Sequence, residues 1–302
     1  MGIFSHDYES AGAGISKHAP KKQGFALFFE IFTRKFWKIL EVNLLYFLFW
    51  LPLILAVVAF FLIPNHYAAL ITAILLLIVF SVLIGPATAG ITKIMRNYVL
   101  EKHSFIFRDF KKGFKDNFGK SAVVGIVDIL ICLSVFAGFK VYPQLAEQLN
   151  TKLMYVPFVI SLSVALVIVM MNFYVFLMII ATDLSFKNLV KNSFALAFVE
   201  IKKSFLTLFL YIMLLGLLLF LVPIQFLLFI LPFFPFALLC FISCFICYPA
   251  IQKYVINPYY TSIGQINPEL CDESDEEAIF EDMGGKEKPI EKRKKGKGKR
   301  IS

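Results

Sequence analysis

Apolar residues in this chain come in long runs, and charged residues fall in the gaps between them. Ile39–Ile63, Ala68–Ile84, Ala122–Tyr142, Val156–Ala181 and the longer Phe205–Ile251 carry almost no charge. A helix of about 18 or more apolar residues crosses a hydrocarbon layer about 30 Å thick. The last run is about twice that length and is interrupted by Pro223, Pro232 and Pro235, so it reads as two spans joined by a tight turn. The pattern therefore predicts an all-α fold: a polytopic membrane bundle of six transmembrane helices, at 39–63, 68–95, 122–142, 156–181, 205–222 and 233–251.

The gaps set an expected orientation. Segment 1–38 carries six Lys/Arg, 93–120 carries eight and 182–204 carries four. The alternate gaps are nearly empty: Pro64–Tyr67 has no charge and 143–155 has Glu147 and Lys152. Short loops rich in Lys/Arg stay on the cytoplasmic side, so both termini are expected in the cytoplasm. Tyr67, Tyr142 and Tyr155 then fall at the outer boundary, and Trp37, Tyr98, Tyr248 and Tyr254 at the inner one, as aromatic belts require.

The basic gaps have their own periodicity. Phe107, Phe110, Phe114 and Phe118 recur every three or four residues, with Arg108, Lys111, Lys112 and Lys115 on the rest of the wheel. Phe25, Phe28, Phe29, Phe32 and Phe36 form a similar stripe before the first span, and Phe186, Leu189, Val190, Phe194, Phe198 and Ile201 a third. Such cytosolic amphipathic helices either lie in the membrane interface or pack as a layer under the bundle. A weak echo links two of them: Phe110 and Phe114 precede Lys120-Ser121 and a span, as Phe194 and Phe198 precede Lys203-Ser204 and a span.

Composition agrees with a membrane protein, with 59% hydrophobic residues and 35 Phe in 302 positions. The net charge of +9 is mostly juxtamembrane. It points to a bilayer with an anionic inner leaflet as partner, worth about 1 kcal/mol per basic residue, and not to nucleic acid. The first twenty residues lack the apolar core of a secretory signal, and His6 breaks the myristoylation pattern. From Ile263 onward the chain changes character. Residues 269–282 hold eight acids and no bases, and 286–300 hold nine bases against Glu287 and Glu291. Too little apolar surface remains for a core, so a disordered cytosolic tail over 263–302 is expected. The implied organisation is an N-terminal cytosolic segment 1–38, a membrane domain 39–262 and that tail.

Tests for catalytic chemistry return little. Gly113 to Gly119-Lys120-Ser121 resembles a phosphate-binding loop, but five residues separate its glycines where the motif needs four. The four His are scattered, with no metal-ligand spacing. Cys240, Cys244 and Cys247 share a helix face, which packing explains better than a soft-metal site. The expectation is a protein that is not an enzyme and holds no cofactor or metal.

Polar residues inside spans are the remaining candidates, because they are costly there. Asn43 lies in span one, Asn172 in span four, and Asp128 about 12 Å into span three at about 1.5 Å per residue. The only Lys or Arg inside the predicted spans, Lys93 and Lys140, stand within three residues of a span end and far along the chain from Asp128, which leaves protonation, a hydrogen bond to Asn43 or Asn172, or a hydrated cleft. Span two ends in Gly85-Pro86-Ala87-Thr88-Ala89-Gly90, where small residues four apart favour a close helix crossing over a substrate site.

Three stretches carry a resemblance: Phe36-Trp37-Lys38…Asn43 to Pro52, Ile84-Gly85-Pro86-Ala87-Thr88-Ala89, and Phe107-Arg108-Asp109-Phe110…Gly113-Phe114…Asn117-Phe118. They are similar to the YesL-like family of bacterial membrane proteins over about residues 30–250. The resemblance implies a multi-pass protein of the bacterial inner membrane with no accepted catalytic residues. It also implies a partner, since such proteins are often encoded beside carbohydrate ABC transporters. Two functions follow as expectations: a non-enzymatic accessory subunit linked to carbohydrate transport, or a small secondary transporter or channel using Asp128. The charged tail lies outside the resemblance.

Overall fold

The computed structural model describes residues 22–269, apart from 224–225, 227–228 and 266. All regular structure among the described residues is helical. In chain order the helices are α1 (Gly24–Phe47), α2 (Leu51–Leu62), α3 (His66–Val99), α4 (Ile106–Asp116), α5 (Phe118–Gln148), α6 (Tyr155–Ala181), α7 (Phe186–Val199), α8 (Ile201–Leu221), α9 (Pro235–Ile251) and α10 (Asn257–Ser262). Six stretches are long and apolar enough to cross a membrane: Gly24–Leu62, His66–Val99, Phe118–Gln148, Lys152–Ala181, Ile201–Leu221 and Pro235–Ser262. The protein is a multi-pass membrane protein built as an all-α bundle.

Contacts divide the chain into Met1–Ile256 and Asn257–Ser302. In the second unit the described residues form α10 and a short turn, where the Asn267 amide N–H donates to Asn257 Oδ1 at 2.8 Å. The rest of the predicted disordered tail lies outside the described residues, as do residues 1–21.

Helix boundaries depart from the hydrophobic runs. The predicted border between an N-terminal amphipathic helix and span one, near residue 38, is not a break: α1 runs through it from Gly24 to Phe47. The interruption falls instead at a 3₁₀ turn, Leu48–Trp50, just before Pro52, whose ring cannot accept a regular helical turn before it. Helix α3 begins where Asn65 Oδ1 accepts the N–H groups of Tyr67 and Ala68, at 3.0 and 3.2 Å. Helices α3 and α5 both end with a residue at positive φ, Glu101 and Asn150. The N–H after each bonds back to Asn97 O or Ala146 O. No glycine marks either stop, so the sequence gives no warning of Glu101 in that role.

The close crossing expected at Gly85 exists, and its partner is α5. A Cβ added at Gly85 would overlap the Ser121 carbonyl oxygen. One added at Gly125 would stand 2.7 Å from Gly85 N and 3.0 Å from Ser81 O. Ser81 and Gly85 on α3 thus face Ser121 and Gly125 on α5, each pair four residues apart, and the two backbones touch. Pro86 sits inside α3 beside this contact.

Helix α4 is held by the same means. Gly113 packs on Gly90 of α3, where an added Cβ would meet Gly90 Cα at 3.0 Å. Its stripe is only partly used: Phe110 is buried, and Phe110 and Phe114 stack on Phe49 with ring centroids at 5.6 and 5.2 Å. Phe107 remains 69% exposed. Of the two readings of the stripe, packing under the bundle holds for Phe110 and Phe114. Replacing both by Ser is expected to free α4 and speed limited proteolysis at Lys111 and Lys112 several-fold. Unchanged cleavage would show that α4 is held by the glycine contact alone.

The sequence echo has a structural counterpart. Helix α4 leads into α5 through the single residue Asn117, and α7 leads into α8 through Glu200. Four residues later a buried serine closes each junction: Ser121 Oγ donates to Asn117 O, and Ser204 Oγ to Glu200 O. A long helix, a short helix and a long helix therefore occur twice, as α3–α4–α5 and α6–α7–α8. Lys120 Nζ donates to Leu184 O at 2.9 Å, tying the start of α5 to the segment before α7.

Two aromatic residues correct the expected belts. Trp37, Tyr67, Tyr155 and Tyr254 are exposed, but Tyr98 and Tyr248 are fully buried. The Arg96 guanidinium lies 5.0 Å from the Tyr248 ring and Lys35 Nζ lies 5.6 Å from the Tyr98 ring. At the predicted inner end these tyrosines accept cations from neighbouring helices, so they face the bundle.

Candidate functional site

Asp128 sits on α5, about 15 Å along the helix from its start at Phe118, at about 1.5 Å per residue. Its Oδ1 accepts the amide N–H of Asn172 on α6 at 2.6 Å. Of the arrangements open to Asp128, the structure forms the bond to Asn172. Asn172 is the right residue for this task. It is neutral, so it costs less to place in an apolar bundle than a Lys or Arg, yet it supplies a donor to the carboxyl group.

Asn43 serves elsewhere. Its amide N–H groups donate to Leu231 O and Pro232 O at 2.9 and 2.7 Å, and its Oδ1 accepts Ala237 N–H at 2.8 Å. Ala237 lies in the first turn of α9, whose N–H groups have no partner within the helix. The nearby carbonyls are short of donors because Pro232 and Pro235 have no N–H. Asn43 is fully buried and caps α9 from another helix nearly two hundred positions away. Asn43 stands about five helical turns before the end of α2, so the segment from Leu231 to Pro235 lies deep along α1.

Between these two polar devices the bundle forms a half-open cavity of about 250 Å³. Five helices contribute polar lining: Tyr46 from α1, Thr88 and Thr92 from α3, Asn172 from α6, Tyr211 from α8 and Ser243 from α9. Phe173, Phe176 and Phe236 supply aromatic walls, and no charged residue lines it. Tyr46 Oη and Thr88 Oγ1 lie 3.1 Å apart, and Tyr211 Oη bonds Leu239 O at 2.9 Å. Asn172 belongs both to the lining and to the Asp128 pair, so the one predicted candidate pair borders the cavity.

The other candidates have structural parts. Gly85 and Pro86 belong to the α3–α5 crossing. Asp109 accepts Ser104 Oγ–H at 2.7 Å and Phe105 N–H at 2.9 Å, which fixes the start of α4. Arg108 is exposed on α4 beside Lys111, Lys112 and Lys115. The cysteines pack: Cys240 Sγ lies 3.6 Å from Thr92 Oγ1, and Cys247 Sγ 3.6 Å from Thr207 Oγ1. Reading the sequence missed Tyr46, Thr88, Thr92, Tyr211 and Ser243. Each is a single hydroxyl in an apolar run, and only the fold shows that they converge.

No curated protein and no solved structure matches the chain. A family described as a protein of unknown function, DUF624, matches residues 39–139, from the middle of α1 through most of α5, and so takes in the Gly85 crossing, α4 and Asp128.

Proposed function

We propose that this protein is a non-enzymatic accessory subunit of solute uptake, of the YesL-like kind, in the bacterial inner membrane with both termini cytoplasmic. Its partner is a carbohydrate ABC transporter. The observation that carries this reading is the fixed presentation of α4. The Gly113–Gly90 contact and the Phe110–Phe49 stack hold one face of the helix. The opposite face offers Arg108, Lys111, Lys112 and Lys115 with Phe107 exposed beside them. A rigid helix with a cationic, partly aromatic outer face suits docking on a partner or on anionic headgroups at one membrane surface. Co-purification in mild detergent with a carbohydrate ABC permease is expected, and is expected to fall at least tenfold on Arg108→Glu with Lys112→Glu. Retention of the permease by that variant would remove α4 from the interface, and absence of a permease from the wild-type complex would overturn the reading.

One observation favours a second reading, a small secondary transporter or channel using Asp128: the carboxyl group pairs with a residue that lines an intramembrane cavity. Two like helical units and a last helix that begins inside the bundle are also features of carriers. Cation-coupled solute flux in liposomes containing only this protein, abolished by Asp128→Asn, would establish this reading in place of the first.

A further inference from the structure

The hydroxyl groups around the cavity can be assigned their protons, and almost all are already used. Thr88 Oγ1 donates to Ile84 O at 2.8 Å, so in the pair with Tyr46 the tyrosine is the donor. Thr92 Oγ1 donates to Thr88 O at 2.6 Å, so the Cys240 thiol donates to Thr92. Tyr211 Oη donates to Leu239 O, so Ser243 donates to Tyr211. One N–H of Asn172 goes to Asp128. A hydroxyl has a single proton but two acceptor lone pairs, and an amide oxygen has two more. The lining therefore offers the lone pairs of Tyr46, Ser243 and Asn172 Oδ1, against a single remaining donor, the second N–H of Asn172. The Trp50 indole N–H is directed at Tyr46 Oη and leaves it one lone pair for the cavity; Trp50 itself stacks on Phe236 and does not line the space.

A cavity rich in acceptors selects a ligand rich in donors. Three further features favour a positive charge over a neutral donor. The Asp128 carboxyl group stands directly behind Asn172. The rings of Phe173, Phe176, Phe236, Tyr46 and Tyr211 line the space, and aromatic faces attract cations. The lining holds no Lys or Arg to oppose a cation. At about 250 Å³ the space exceeds what a bare metal ion fills, and Val169 and Leu177 add aliphatic wall. We infer that the cavity is a binding site for a small organic ammonium compound: an ammonium head with three N–H donors held by Tyr46, Ser243 and Asn172, and an apolar body against the phenylalanines. This holds whether the protein acts as an accessory subunit or as a carrier.

The test uses three one-ring probes that differ in one polar group: benzylamine, benzyl alcohol and benzoate. Each is titrated calorimetrically into the full-length protein in nanodiscs, with empty nanodiscs as blank. Benzylamine is expected to bind at least tenfold more tightly than benzyl alcohol, and benzoate not to bind. Asp128→Asn keeps an acceptor for the Asn172 N–H but removes the charge. It is expected to weaken benzylamine at least tenfold and leave benzyl alcohol unchanged. Benzyl alcohol binding as tightly as the amine, binding of benzoate, no binding of any probe, or amine binding untouched by Asp128→Asn would each overturn the inference. The probe series on the unaltered protein decides it even where a variant does not fold.

Discussion

Gly85→Leu is expected to leave no monodisperse protein in mild detergent, and Gly85→Ala to lower the thermal midpoint markedly. The first added atom already overlaps the Ser121 carbonyl oxygen, which belongs to the α5 backbone and not to a side chain that could rotate away. Relief requires α3 and α5 to separate along a contact that also holds Gly125 and Ser81. Overpacking in well-packed interiors costs about 1–3 kcal/mol where the surroundings can adjust. Here the adjustment would break the central crossing, so the loss is expected at or above the top of that range. Gly216→Ala on α8 is the control: nothing lies within 4 Å of the added Cβ. A helix interior prefers Ala over Gly by about 0.5–1 kcal/mol, so this variant should be neutral or slightly more stable. Equal behaviour of Gly85→Ala and Gly216→Ala in size-exclusion and thermal-melt measurements would refute the crossing as described.

Asn43→Leu is expected to have the next largest effect, and a more local one. It removes the partners of two part-buried carbonyls, of Leu231 and Pro232, and of the buried Ala237 N–H. An unsatisfied buried backbone group costs about 1–3 kcal/mol, so a total loss of about 3 kcal/mol or more is expected. Asn43→Asp keeps the acceptor for Ala237 N–H but loses both donors, and should fall between Leu and wild type. Hydrogen exchange separates a local cause from a general one. Amides around Ala237 at the start of α9 should lose protection in Asn43→Leu while those of α5 and α6 keep theirs. Uniform loss across the bundle would show that Asn43 does not act as a cap.

The Asp128 pair shows how far sequence reasoning reaches. That a lone carboxyl group in a membrane helix needs a partner follows from solvation alone. That the partner is Asn172 and not Asn43 depends on which helices are neighbours, because α5 packs on α6 while α1 runs along α9. The same limit applies to the cavity. Thr88 and Thr92 are one turn apart and belong together on any helix, but nothing local to Tyr46, Tyr211 or Ser243 points toward them.

By itself the sequence determined that this is a six-span helical membrane protein, because apolar runs of that length and interruptions of that charge have no other stable arrangement in water or lipid. It also determined that small residues at Gly85 mark a crossing, since only a missing side chain lets backbones meet. Its run lengths placed the last two spans, 205–222 and 233–251, within a few residues of α8 and α9, but put a border near residue 38 where α1 is continuous. Hydrophobicity measures what lipid or protein can cover and not where a helix starts, so the stripe before residue 38 belongs to the same helix as the span, and only the fold brings Leu231, Pro232 and Ala237 to Asn43. Tertiary structure decided the partners: Gly125 for Gly85, Phe49 for Phe110, Asn172 for Asp128 and Ala237 for Asn43. These are contacts between distant parts of the chain, and packing fixes them only once all the helices are in place.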